Sequence, residues 1–118
     1  MSPQEVNDLA LGLPEVTEEE SFGPGANVYK VAGKVFAILQ PGGEMPQVTL
    51  KCEPSLALEL RAQYSAVTEG YHVNKKHWNT VLLDGTVPSD EVREMVEHAY
   101  KRVVDSLPKY VRARLSGQ

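Results

Sequence analysis

Residues 27–39 read NVYKVAGKVFAIL, two apolar runs separated by Ala32-Gly33. Asn27 to Val31 and Lys34 to Leu39 are rich in the β-branched and aromatic residues that suit a pleated surface. A two-residue link with glycine predicts a tight hairpin between them. A parallel crossover would need a dozen residues or more, so the pair is antiparallel. The same logic extends outward. Pro41-Gly42-Gly43 marks a turn, and Gln47 to Lys51 alternates as a further strand. Upstream, Thr17-Glu18-Glu19-Glu20-Ser21-Phe22 precedes the turn-forming Gly23-Pro24-Gly25. Its glutamates suit an exposed edge strand, where charge discourages strand addition. These segments make an antiparallel meander.

Helical signals flank the meander. Ser2-Pro3-Gln4-Glu5 is a capping box with proline at the first helical position. Val6, Leu9, Ala10 and Leu13 follow at helical spacing, and Gly12 with Pro14 ends the helix. Pro54 opens a second helix through Leu56, Ala57, Leu60 and Arg61. Ala66 to Tyr71 reads as extended, and Trp78 to Leu83 as a strand closed by Asp84-Gly85. A long helix begins at Pro88-Ser89-Asp90-Glu91. Val92, Met95, Val96, Ala99, Val103 and Leu107 form its apolar stripe, and Glu97 with Lys101 forms an i,i+4 pair on its outer face. Pro108 ends or kinks it, and Lys109 to Leu115 adds a turn or two. The order predicts an α+β two-layer sandwich: one antiparallel sheet with helices packed on one face.

The chain has 118 residues, 42% apolar and 24% charged, which predicts a single domain over 1–118. Cys52 is the one cysteine, so no intramolecular disulfide forms and no Cys/His set has metal-ligand spacing. A reducing, cytoplasmic compartment is the simplest reading. The first residues lack the basic and apolar regions of a signal peptide, and no apolar run suffices to span a bilayer. No membrane partner is expected, and a monomer is favoured.

The net charge of -4 is unevenly placed. Residues 1–60 hold three basic and nine acidic side chains, whereas 61–118 hold nine and seven. Beyond His98 there are Lys101, Arg102, Lys109, Arg112 and Arg114 against Asp105. An acidic chain repels a polyanion at long range, while a local basic patch still attracts one at short range.

Asn74 to Val81, NKKHWNTV, is the most distinctive block. Lysines neutralise phosphates and an aromatic ring stacks on bases. Alternation separates the block into two functions. Trp78 is in phase with Leu82, which predicts a buried tryptophan, and Trp78, Val81, Phe36 and Val96 are the expected core anchors. Lys75, Lys76 and His77 then lie at the strand entrance as the contact candidates. Lys30 and Lys34 flank the hairpin, and Lys109, Arg112 and Arg114 form a second basic patch.

Other groupings favour plainer readings. Three successive glutamates, Glu18 to Glu20, alternate faces on a strand and do not converge on a cation. His72, His77 and His98 lack an accompanying nucleophile motif, and His98 falls on the polar side of its helix, exposed to solvent. Cys52, near a helix start, reads as a buried inert thiol. No glycine loop precedes a helix with phosphate-binding spacing. These readings assign no catalytic residue, metal or cofactor, and no enzyme.

The chain resembles the MmcQ/YjbR family of small bacterial proteins over nearly its whole length. Leu13-Pro14, Glu19 to Phe22, Val28-Tyr29-Lys30-Val31 and Lys34-Val35-Phe36-Ala37 carry the likeness, followed by Val48-Thr49-Leu50-Lys51-Cys52. Next come Asn74 to Val81, the most specific part, and then His98-Ala99-Tyr100, Val103-Val104 and Leu107-Pro108. The resemblance implies a frataxin-like (CyaY-like) α+β fold and a double-wing DNA-binding role, in which the sheet and its hairpins contact DNA. Frataxin-like folds also raise iron binding through an acidic surface, although fold alone is a weak warrant for function. The function expected is that of a non-enzymatic DNA-binding protein with a basic surface on the sheet and hairpin side. The alternative is a domain binding a small ligand, a metal or a protein, with no nucleic-acid role.

Overall fold

A computed structural model describes residues 1–20, 25–70 and 73–115. The expected turn at Gly23-Pro24, with Phe22, Tyr71 and His72, lies outside the described residues. Helix α1 (Pro3–Leu11) is followed by strands β1 (Val16–Glu19), β2 (Asn27–Val31), β3 (Lys34–Gln40) and β4 (Gln47–Lys51). Helix α2 (Pro54–Gln63), strands β5 (Val67–Glu69) and β6 (Trp78–Leu82), and helices α3 (Ser89–Asp105) and α4 (Lys109–Leu115) complete the chain. The sheet is antiparallel throughout, in the order β1-β2-β3-β4-β6-β5. Helix α3 crosses β2, β3 and β4, α1 lies beside it over β1 and β3, and α2 covers β5 and β6. The α+β two-layer architecture expected from the element order is therefore the one formed.

Local chemistry explains several elements. In the α1 capping box, Ser2 Oγ accepts from the Glu5 amide at 3.2 Å and the Ser2 amide donates to Glu5 Oε1 at 2.9 Å. The hairpin turn has positive φ at both Ala32 (50°) and Gly33 (78°), the mirrored turn that matches strand twist. Gly33 adopts this freely, while Ala32 does so at roughly 1 kcal/mol.

A β-bulge shapes the core. Tyr29 pairs with Ala37 but Lys30 pairs with Val35, so Phe36 is the extra residue. The bulge lets the consecutive residues Phe36 and Ala37 both be buried. Phe36 meets Tyr100 of α3 edge to face, with ring centres 5.6 Å apart. The α3 stripe of Val92, Met95, Val96, Ala99 and Val103, with Leu107 just beyond the helix end, is buried in the same core, together with Val6, Ala10, Leu50 and Val81. Phe36, Val81 and Val96, three of the four expected anchors, are fully buried.

Trp78 is not the fourth. It is half-buried and lies outside the core cluster. Period 2 puts Trp78 and Val81 on opposite faces of β6, so one face cannot hold both. Val81 and Asn79 take the helix side, where Asn79 Nδ2 donates to the Ala57 carbonyl of α2. Trp78 and Thr80 consequently face away from the helices. There Thr80 meets Thr49 of β4 at 3.0 Å between hydroxyls, and Trp78 stands directly across from Lys51. On α3, Lys101 pairs with Asp105 at 3.3 Å rather than with Glu97.

Candidate functional site

Antiparallel pairing brings distant basic residues to one end of the sheet. The hairpin after β2, the start of β3, the end of β4, the start of β6 and the end of β5 all lie there. Lys34, Lys51 and the Lys75-Lys76 pair therefore stand on successive strand ends. At roughly 4.8 Å per strand, β3 and β6 are only about 10 Å apart.

The turn that displays Lys75 and Lys76 is tightly held. Asn74 Oδ1 accepts from the Lys76 amide at 3.0 Å, and the Asn74 carbonyl accepts from the His77 amide at 3.2 Å. This is the local bonding that asparagine offers a turn. The His77 carbonyl in turn accepts from the Cys52 amide at 2.8 Å, which ties the turn to β4. Arg61, at the end of α2, fixes the turn from the helix side. Its Nε donates to Asn79 Oδ1 and its Nη2 to the Lys75 carbonyl, both at 2.9 Å. Neither Arg61 nor Lys51 was among the expected contact residues. Arg61 reads as an ordinary helix-end cation and Lys51 as an ordinary strand-end residue, and no spacing marks either.

Carboxylates divide the expected contact set. Lys30 pairs with Glu19 on the adjacent strand, and Arg114 with Glu15 at 2.9 Å. Lys75 lies 3.7 Å from Glu69, yet its side chain is 70% exposed. Among the described residues, Lys34, Lys51, Lys76, Lys109 and Arg112 have no carboxylate within ion-pair distance. His77 is half-buried on the turn. Lys109 and Arg112 sit apart from the strand ends, on α4, where they line a shallow depression with Tyr100 and Asp105. From β3 to β5, the strand ends and the arms beside them carry Lys34, Lys51, Arg61, Lys75 and Lys76 against Glu53 and Glu69. That end is locally basic on an acidic chain.

A cleft opens between α2 and α3, on the other side of β4 and β6. It encloses 230 Å³, and Leu50 and Val81 line it along with Leu56, Leu60 and Met95. Lys51, Cys52, Asn79 and His98 add polar groups, and Glu91 and Glu94 also border it. His98 is half-buried rather than solvent-exposed, because α2 starts against it. The Glu53 amide donates to His98 Nε2 at 3.1 Å. That bond requires a neutral ring with its proton on Nδ1. Burial, reinforced by the Arg102 charge, holds its pKa below the ordinary histidine value. Burial also pushes the Cys52 thiol up to about 11, so it stays protonated and unreactive at neutral pH. Glu53 caps α2 through the amides of Ser55 and Leu56, and bonds from the Ser55 hydroxyl and these amides hold its carboxyl at about 2. Among the described residues no three His, Cys, Asp or Glu side chains converge to hold a metal, and Glu18 to Glu20 line an exposed edge.

Sequence comparison agrees with this architecture. The YjbR family model matches residues 11–102. A YjbR protein of Escherichia coli K12 is 39% identical over 115 residues, spanning 98% of each chain. A YbdF protein of Escherichia coli O157:H7 is 35% identical, across 86% of this chain and 83% of its own. The crystal structure of a Deinococcus radiodurans protein with a DUF419 domain superposes with a TM-score of 0.90 at 30% identity, covering 98% of this chain and 88% of that one. A Pseudomonas syringae structure gives a TM-score of 0.74 at 25% identity, covering 86% of this chain and 98% of that one. With all six strands, the NKKHWNTV block, α2 and most of α3 inside residues 11–102, the chain belongs to the YjbR family.

Proposed function

We propose that the chain is a non-enzymatic, cytoplasmic binding protein that takes DNA across the basic end of its sheet. The observation that carries this reading is the convergence of Lys34, Lys51, Lys75 and Lys76 on neighbouring strand ends. Lysine amines on a fixed turn neutralise phosphates without reading base sequence. Half-buried Trp78, across from Lys51, adds an aromatic surface at the same end. Lys30 and Arg114 drop out of the contact set because neighbouring carboxylates already neutralise them. Lys109 and Arg112 remain a secondary patch on α4.

Each phosphate neutralised contributes about 0.9 to the slope of log affinity against log salt. The Lys75→Ala/Lys76→Ala double variant is therefore expected to lower that slope by about two units on a labelled duplex, measured by fluorescence anisotropy. An unchanged slope would remove the turn from the interface. Absence of duplex binding by the wild-type chain at low salt would end the DNA reading.

A further inference from the structure

The α2–α3 cleft touches the basic sheet end at Lys51 but differs from it in chemistry. Its body is apolar, formed by Leu56 and Leu60 of α2 facing Met95 of α3 above Leu50 and Val81. At about 30 Å³ per water, its 230 Å³ suits one small organic molecule. Met95 is unbranched and adapts to different shapes.

The α3 wall sets the polarity of the cleft. Glu91, Met95 and His98 recur at near-helical spacing, so they line one side of α3 over about 10 Å. At the His98 end the ring is neutral, and its Nε2 is already occupied by the Glu53 amide. At the other end, Glu91 and Glu94 border the cleft, and no lysine or arginine among the described residues pairs with either. Burial, and after it the charges of Glu91 and Glu94, holds the Tyr64 pKa above the ordinary value. Tyr64 thus lies within reach of the two carboxylates at this mouth. Low-dielectric walls beside such a pair strengthen its attraction for a cation.

We propose that the cleft binds small organic cations. A short alkyl or aryl body packs between α2 and α3, and an ammonium group sits between Glu91 and Glu94. The ammonium seat itself lies on α3, whereas Lys51, the one sheet-end lysine that borders the cleft, belongs to its β4 side. An anion of the same length is excluded by the same two carboxylates.

The test is titration of the ¹⁵N-labelled full chain with hexylamine, hexanol and hexanoate, followed by amide shifts. Hexylamine is expected to shift the Leu56, Met95 and His98 amides saturably, with affinity about tenfold above hexanol, and hexanoate is expected to leave them unmoved. In the Glu91→Gln/Glu94→Gln variant, two surface changes that leave the core untouched, the preference for amine over alcohol should disappear. Leu56→Trp, which fills the cleft from a half-buried position, should abolish hexylamine binding. Equal affinity for amine and alcohol in the wild type would overturn the cation assignment. Shifts confined to residues outside the cleft would overturn the site.

Discussion

On one face of β6, Asn79 and Val81 are buried against the helix layer; on the other, Trp78 lies half-open beside Lys51. The two faces differ less in composition than in what covers them. Valine and asparagine point inward because α2 and α3 lie above them, and Asn79 is tolerated there because its amide bonds the Ala57 carbonyl while its oxygen accepts from Arg61. A buried polar group with all its partners costs little, and the same group unpaired costs a great deal. Tryptophan, with the larger apolar area, stands half-buried on the side away from the helices. Side-chain hydrophobicity therefore does not decide which face is core. The position of the strand beneath the helices does.

The largest effect expected from breaking this contrast is on the covered face. Val81→Asp places an unpaired carboxylate at a site with 0% exposure. It should cost about 4 kcal/mol or more, read as a collapsed urea midpoint or loss of the cooperative transition. A mild effect would mean that the helix layer does not seal over β6.

On the open face, Trp78→Ala should cost only about 1–2 kcal/mol, because part of the ring already meets water. A loss above 3 kcal/mol, in the range of core tryptophans, would return Trp78 to the interior. Gly70 sharpens the placement. A Cβ there would stand 2.6 Å from both Trp78 Cβ and Val73 Cγ2, so Gly70→Ala should destabilise by overpacking, by about 1–3 kcal/mol.

The smallest effect is a pH dependence on the cleft side. His98 has a folded pKa below its unfolded one, so the unfolded chain binds more protons between the two values. The stability conferred by the neutral ring is complete above the unfolded value of 6.5 and is lost as pH falls towards the lowered folded value. Stability should therefore decline gently as pH drops below about 6.5, and His98→Gln should flatten that segment of the curve. A decline of the same steepness in the variant would assign it to other groups. Glu53 acts in a lower window, from its ordinary value of 4.5 down to about 2, so the two contributions separate on the pH axis.

Much of the fold was legible in the chain. The capping box at Ser2, the mirrored turn at Ala32-Gly33 and the apolar stripe from Val92 to Leu107 depend on residues within a few positions of one another. Their chemistry is therefore local. The strand limits of β2 and β4 follow from the same short-range patterns. The family, too, could be recognised from NKKHWNTV and its neighbours. Of the contact set proposed at the sheet end, Lys34, Lys75 and Lys76 were visible in the sequence as candidates.

What the tertiary structure decided lies at long range. The ion pair of Arg114 with Glu15 joins the two ends of the chain, and the His98 bond to the Glu53 amide spans 45 positions. Both changed a reading, withdrawing one cation from the proposed contact set and burying one histidine. Arg61 holding the Lys75 carbonyl has no sequence pattern because the two stand fourteen positions apart, across helix, strand and turn. Alternation along β6 divides its residues into two sets, and it is silent on which set meets the helices. That choice depends on strand order, since β6 lies between β4 and β5 beneath α2, and only the folded sheet sets that order.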